Sequence, residues 1–240
     1  MEPVAPLTAA HQPSSAQEVR RMFDRIAPTY DMLNSVLSLG LHRVWEGRLV
    51  SRLPSDPDAT FLDLCTGTGA LVPQLVKRCA RVVGADISPQ MLSVARRRFK
   101  DLPNCDWVEA DAQALPFADS SFDAISIAYG IRNVPNRVLA LKEALRVAKS
   151  GATLAVLEFG QPQSRVWGAL FGWYSRVVIP AIGALVSGER SAYEYLPKTS
   201  AAFPSGERFE ALLREAGWVP GHAQPLCGGV AFIYVARKAG

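Results

Sequence analysis

Residues Phe61–Ala70 read FLDLCTGTGA: a short apolar run holding one acid, then two glycines one residue apart. Phe61, Leu62 and Leu64 have the continuous apolar character of a strand buried on both faces of a parallel sheet. Gly67 and Gly69 permit a sharp turn and leave the backbone open to close approach by a ligand. From Ala70 onward the pattern is helical. Strand, glycine loop and helix in that order form the nucleotide-binding opening of an α/β fold.

The rest of the chain repeats the alternation. Apolar or β-branched runs predict strands over 60–64, 81–85, 106–109, 122–127 and 153–158, and helices fit 71–78, 89–100, 137–149 and 206–216. The segment WVPGHAQPLCGGVAFIYVARK predicts two further strands joined through Pro225 and Gly228–Gly229. Such alternation points to a doubly wound, mostly parallel, seven-stranded α/β sheet with an antiparallel edge. Helical stretches around 17–23 and 30–53 precede it and are expected to form a lid. With no internal repeat or linker, the expected organisation is a flexible tail over 1–16 and one domain over 17–240.

Composition sets limits on partners and compartment. At 240 residues and 26.0 kDa, with 49% apolar and 20% charged residues, the chain suits one large folded domain rather than a disordered one. Cys65, Cys79, Cys105 and Cys227 form no CxxC pair and no zinc spacing, so no metal is expected, and free thiols fit a reducing, cytoplasmic compartment. The N-terminus lacks the basic and apolar regions of a secretory signal. The run VWGALFGWYSRVVIPAIGALV, 166–186, approaches a membrane span in length, but Arg176 sits at its middle and Pro180 breaks it. Two short amphipathic helices hinged at the proline, capping a pocket or lying on a membrane surface, are expected instead. The basic run ARRRFK, 95–100, has two readings: a solvated helix face or an anionic footprint.

The identity of the nucleotide follows from the loop and what comes after it. Asp86, at the end of the second strand, lies 19 residues beyond Gly67, where an acid accepts hydrogen bonds from ribose hydroxyls. A dinucleotide loop requires a third glycine where this chain has Val72, and no phosphate-binding lysine follows. A nucleoside without a pyrophosphate remains, and S-adenosylmethionine is the obvious candidate, its amino-acid end against the backbone of Gly67–Gly69. Asp111 and Ala112, just past the third strand, suit the adenine amino group and ring edge. Taken singly each acid also reads as a turn or helix cap.

The chain resembles the ubiquinone/menaquinone biosynthesis C-methyltransferases over about 18–237. The stretch YDMLNSVLSLGLHRVW, 30–45, matches that family's Y-D-x-x-N…S-x-x-x-H-x-x-W pattern, and YGIRNV, 129–134, matches its G-[LI]-R-N-V. The segments VIPAIGALVSGERSAYEYLPKTSAAFP and GGVAFIYVARK follow its C-terminal pattern. The resemblance implies a class I methyltransferase fold and methyl transfer to a polyprenylated quinol ring. Carried over by position, it implies cofactor contacts from Thr68 in the loop, Asp86 at the ribose, and Asp111 with Ala112 at adenine; Gly67, Gly69, Ile87 and Ala128 complete the expected cofactor set. Ala128 stands where the family often has serine. RVAKSGATLAVLEFG departs from the family's R-V-L-K-P-G-G…E-F-S at Ser150, Ala152 and Gly160, which bears on the stiffness of the turn before the fifth strand and leaves room for a diverged substrate.

A ring carbon becomes nucleophilic when an adjacent hydroxyl is ionised, so the site needs a base or a cation that favours the phenolate. Arg132 leads as the always-charged group, against a structural bridge as its alternative, with Asn133 as orienting partner or helix cap. His42 titrates near neutrality but also fits packing within the Ser38–His42–Glu46 repeat. Tyr30 and Asp31 read either as lid groups over the cofactor or as capping and packing. Glu158 reads as pocket-facing or as a buried paired carboxylate. A polyprenyl tail calls for the apolar 166–186 segment, with Trp167, Phe171, Trp173 and Tyr174, and for transient peripheral contact with the inner face of the cytoplasmic membrane. A homodimer is expected and a nucleic-acid partner is not. Other phenolic acceptors, or a catalytically quiet scaffold, are the competing readings.

Overall fold

The computed structural model describes residues 15–28, 30, 31, 35, 38, 40–162, 164–173, 177 and 199–240. The first strand, β1 (Asp56–Leu64), is central. It pairs in parallel with β2 (Cys79–Asp86) on one side and β4 (Phe122–Ala128) on the other. Outward from β2 lies β3 (Cys105–Glu109), and outward from β4 lies β5 (Ala148–Phe159). The chain then returns antiparallel in β8 (Ala231–Arg237), whose outer edge is shared end to end by β6 (Val219–Pro220) and β7 (Gln224–Leu226). The order is β3-β2-β1-β4-β5-β8-β6, eight strands in seven positions. The order reverses between β1 and β4, which opens a crevice at the carboxyl ends of these strands.

Helices cover both faces. They are α1 (Ala16–Ile26), α2 (Leu41–Val50), α3 (Val72–Leu75), α4 (Pro89–Arg98), α5 (Arg137–Val147), α6 (Arg165–Trp173) and α7 (Glu207–Glu215). One apolar layer joins Leu62, Leu64, Ile125, Ile127, Leu141, Phe209 and Trp218, and the other joins Trp45, Leu49, Phe61, Leu75, Val82 and Leu157. Phe61 and Leu62 thus serve opposite faces, as strand alternation demands. Ser88 caps α4, and Asn136 caps α5, each accepting from a main-chain N–H three residues on.

Several expected boundaries moved. The helix expected over 71–78 is a single turn, because the segment has only a few residues before β2 begins. The helix expected to reach Lys149 stops at Val147, and β5 starts at once, with a register irregularity opposite 122–124 and Gly151 at φ +74°. Ser150 and Ala152 therefore lie in an irregular stretch of strand rather than in a turn. Gly160 lies at the far end of β5, where a Cβ would come within 2.4 Å of the Phe232 ring. The expected helix over 30–53 is described continuously only from Leu41, after Gly40 at φ +78°. The expected tail over 1–16 ends earlier, since Ser15 caps α1 and Ala16 begins it; residues 1–14, the hinge at Pro180 and the side chains of Phe171, Trp173 and Tyr174 lie outside the described residues. Among those described, no helix is long and apolar enough to cross a membrane.

Candidate active site

The two glycines of the loop are required for different reasons. Gly67 has φ +55°, and a Cβ there would meet nothing within 4 Å, so its outer face is open. Gly69 has φ +79°, and a Cβ would lie 2.5 Å from the Trp107 ring, which stacks on Phe99. One glycine leaves an open face; the other admits an indole. Two non-glycine residues beside this crevice also have left-handed backbone, Cys65 at φ 58° and Tyr129 at φ 56°. Strained backbone of this kind persists only where the surroundings hold it, commonly beside ligands.

Asp86 reaches across from β2 and fixes the loop. Its carboxylate accepts from the Gly67 N–H at 2.8 Å and the Ser88 N–H at 2.9 Å, one bond per oxygen. The Ile87 N–H adds a third backbone donor, which leaves the carboxylate a spare lone pair. Burial raises its pKa to about 6, against the lowering effect of those backbone donors. Asp86 and Ile87 line a chamber together with Val19, Phe23, Tyr30, Met91, Asp111, Ala112, Ala128 and Asn133. Its walls are largely apolar. The Asn133 Oδ1 atom is buried without a hydrogen-bond partner among the described residues.

A second chamber adjoins the first through shared walls at Tyr30, Cys65, Gly67, Ala128 and Tyr129. Thr68, Asp31, His42, Arg43, Glu46, Asp63 and Arg98 line it. The lid is tied to the loop here: Thr68 Oγ1 donates to Asp31 at 2.6 Å, and Arg98 bonds the other Asp31 oxygen at 2.5 Å. Arg96 donates to the Trp107 carbonyl, so two arginines of the basic run are engaged within the fold. His42, half-buried on α2, is hydrogen-bonded through Nδ1 to Ser38 at 2.6 Å. Burial first, and then Arg43, lower its pKa, with Asp31 opposing.

Arg132 lines neither chamber. Its guanidinium meets Glu158 at 2.6 Å with 2% and 0% of the two side chains exposed, donates to the Tyr129 carbonyl, and lies over the Phe159 ring. The geometry is that of the structural bridge between strand end and loop. Asn133 donates from Nδ2 to the same carbonyl at 3.3 Å and does line the first chamber. Asp111 accepts from the backbone and side chain of Gln113, an Asx-type turn at the chamber edge.

Three residues of the site carried no functional assignment in the sequence. Asp63, the acid inside the β1 run, is wholly buried and accepts from Thr66 at 2.5 Å and Ser126 at 2.6 Å. Burial raises its pKa to about 6. Glu46, one turn beyond His42, is 7% exposed, and burial followed by Asp63 and Asp31 raises it to about 7. Tyr129 stacks on Phe159 with ring centroids 4.9 Å apart, and its hydroxyl is buried without a partner among the described residues. The signals were present: an acid in an apolar strand, and a glutamate spaced four from His42.

An apolar chamber, a carboxylate with a spare lone pair at the second strand and an open glycine loop define an S-adenosyl-L-methionine-dependent methyltransferase of the α/β class. A polypeptide of similar fold is the SAM-dependent methyltransferase, possible histamine N-methyltransferase, of Thermotoga maritima, with TM-score 0.66, 21% identity, and 92% of this chain and 99% of that one superposed. Residues 11–238 match the ubiE/COQ5 methyltransferase family, and the chain belongs to it. Two relatives give the scale of the likeness. The ubiquinone/menaquinone biosynthesis C-methyltransferase UbiE of Bdellovibrio bacteriovorus is 41% identical over 93% of this chain and 97% of its own. The demethylmenaquinone methyltransferase of Thermus thermophilus is 42% identical over 90% and 100%. S-adenosyl-L-methionine is the cofactor.

Proposed function

We propose that the protein methylates a ring carbon of a polyprenylated quinol: a demethylmenaquinol, a 2-methoxy-6-polyprenyl-benzoquinol, or both. The observation that carries this reading is the junction of the two chambers at Cys65, Ala128 and Tyr129, in a chain of the ubiE/COQ5 family. When bound, S-adenosyl-L-methionine supplies an electrophilic methyl group on a sulfonium. Asp86 and Ile87 would hold its ribose, Asp111, Ala112 and Asn133 its adenine, and the Gly67–Gly69 loop with Thr68 its amino-acid end. The residues fit such a group: apolar walls suit a purine, and the buried Asn133 oxygen awaits a donor. Ala128 contributes a small wall where the chambers meet. Tyr30 and Asp31 close over the loop and exclude water, which strengthens every polar contact inside. Arg132 acts as a positioning residue, since it holds the Tyr129 carbonyl and the turn that carries Asn133. His42 faces the second chamber and is a candidate for contact with a ring oxygen.

The tail of such a substrate is apolar, and contact with the inner face of the cytoplasmic membrane belongs to the same proposal. It is supported by exposed apolar side chains: Leu41 and Val44 on α2, Val166 and Trp167 on α6, and Val177. A second copy of the chain is the alternative cover for these residues and would make the homodimer. Radiolabelled methyl transfer to the two short-tailed quinols, each kept reduced, tests the function. Turnover of either establishes it. No turnover, with cofactor binding intact, overturns it in favour of another phenol.

A further inference from the structure

Glu46 is the buried acid of this site that no hydrogen bond or ion pair engages among the described residues. It comes from the middle of α2, is 7% exposed, and lines the second chamber. Asp63, by contrast, accepts from Thr66 and Ser126. Asp31 is held by Thr68 and Arg98. Asp86 is held by the backbone N–H groups of Gly67, Ser88 and Ile87. A second group is equally unengaged: the hydroxyl of Tyr129, a residue that lines both chambers, is buried with no partner among the described residues. Glu46 is the acid whose charge acts most on that phenol. One residue carries an acceptor and the other a donor, and both residues line the second chamber. A ring hydroxyl satisfies both at once, because it can receive a bond on oxygen while giving up its proton.

We propose that Glu46 is the general base that takes the ring-hydroxyl proton of the quinol, with Tyr129 donating to the same oxygen. The inference rests on the quinol reading above. The O–H bond breaks and its electron pair stays on oxygen, which enriches the ortho carbon. That carbon forms the new C–CH3 bond as the C–S bond of the sulfonium breaks, and the C–S electron pair stays on sulfur. The ring carbon then releases its hydrogen as a proton and the ring oxygen regains one, which restores aromaticity. One proton is released in total, through Glu46 to water, and no oxidant or reductant is required.

The environment suits the task. A base is most effective when it ionises near the working pH. Glu46 is raised to about 7 by burial, then by Asp63 of β1 and Asp31 of the lid, while Arg43 of its own helix and Arg98 of α4 oppose. His42 of α2 and Tyr30 of the lid also face the chamber. Tyr129 is raised well above the ordinary phenol, by burial first and by Glu46 next, and stays a donor.

Glu46→Gln keeps the volume and removes the proton acceptor, and Tyr129→Phe keeps the ring stack on Phe159. Three readouts are taken on the full chain: kcat/KM for the reduced quinol against pH, the Kd for S-adenosyl-L-methionine by calorimetry, and Tm. The expected result is a kcat/KM loss of about 100-fold or more for E46Q and about 10-fold for Y129F. Cofactor Kd should stay within threefold, Tm should not fall, and the wild-type acid limb near pH 7 should vanish in E46Q. Retained turnover in E46Q, or an unchanged acid limb, overturns the proposal. So does a weakened cofactor Kd with kcat preserved, which would place Glu46 at the cofactor's ammonium. A wild-type chain inert toward every quinol overturns the quinol reading itself, and this inference falls with it.

Discussion

Arg132 and Glu158 meet at 2.6 Å, with 2% and 0% of their side chains exposed. The pair ties the turn after β4 to the last residues of β5. Breaking a buried ion pair strands the remaining charge, which costs about 3–5 kcal/mol. Arg132→Ala and Glu158→Gln are each expected to lose that much stability in urea unfolding. A loss below about 1 kcal/mol in both would show that the pair does not hold the turn.

The contact of Asp31 with Thr68 makes a different demand. Asp31 is 39% exposed, so its bonds to Thr68 and Arg98 contribute little to stability, under about 1 kcal/mol. They do fix the lid on the glycine loop. Asp31→Ala is expected to weaken S-adenosyl-L-methionine binding by roughly tenfold, equivalent to 1.4 kcal/mol, while Tm barely moves. Calorimetry alongside thermal unfolding separates the two effects, and a large Tm fall with unchanged affinity would count against a latch.

The loop glycines should separate in the same way. In Gly69→Ala the new Cβ would lie 2.5 Å from Trp107 at φ +79°, so strain and overpacking add to a loss of about 2 kcal/mol or more. Gly67→Ala has open space and bears only left-handed strain, about 1–2 kcal/mol. Its larger effect should be on cofactor affinity, because its methyl would project into the open face. Equal effects on folding from the two changes would contradict this division.

The raised carboxylates have a stability signature. Glu46, at about 7, and Asp63, at about 6, lie above their ordinary values of 4.5 and 3.8. Between the ordinary and raised values the folded chain binds more protons than the unfolded one, so each group lowers stability as pH rises through that window. Replacing Glu46 by glutamine removes this slope. The stability of E46Q relative to wild type is expected to rise by on the order of 3 kcal/mol between pH 4.5 and pH 8. Unfolding curves at several pH values check it, and a flat difference would refute the raised value.

Leu41 is 45% exposed and Val44 is 52% exposed, both on α2, whose His42, Arg43 and Glu46 line the second chamber. If this surface meets the bilayer, Leu41→Glu with Val44→Glu should abolish co-flotation with anionic vesicles and raise the KM for a long-tailed quinol. Turnover of a short-tailed one should stay within about threefold, since burial of apolar area rather than chemistry is lost. Undiminished vesicle binding would place the contact elsewhere, and light scattering would show whether a second copy covers the same residues.

Much of the fold was legible in local pattern. The apolar runs at β1, β2, β4 and β5 and the glycines after β1 each carry their instruction within a few residues. The spacing from Gly67 to Asp86 placed an acid beside the loop, and the structure puts the two in direct contact at 2.8 Å. Boundaries were harder. The end of α5 and the start of β5 share Val147 and Ala148, where nothing in the side chains distinguishes the last turn of a helix from the first residue of a strand.

The sequence by itself determined the order of strands and helices, the glycine loop and the acids that follow the second and third strands, because period and turn chemistry act between neighbours in the chain. The direction of Arg132 was decided only by tertiary structure: β5 brings Glu158 beneath it, and a guanidinium leaving water goes to the nearest buried carboxylate. The grouping of Glu46, Asp63 and Tyr129 was decided in the same way. They come from a helix, a strand and a loop far apart in sequence. Their burial, their raised pKa values and the space between them exist only once the sheet has assembled and α2 has closed over its end.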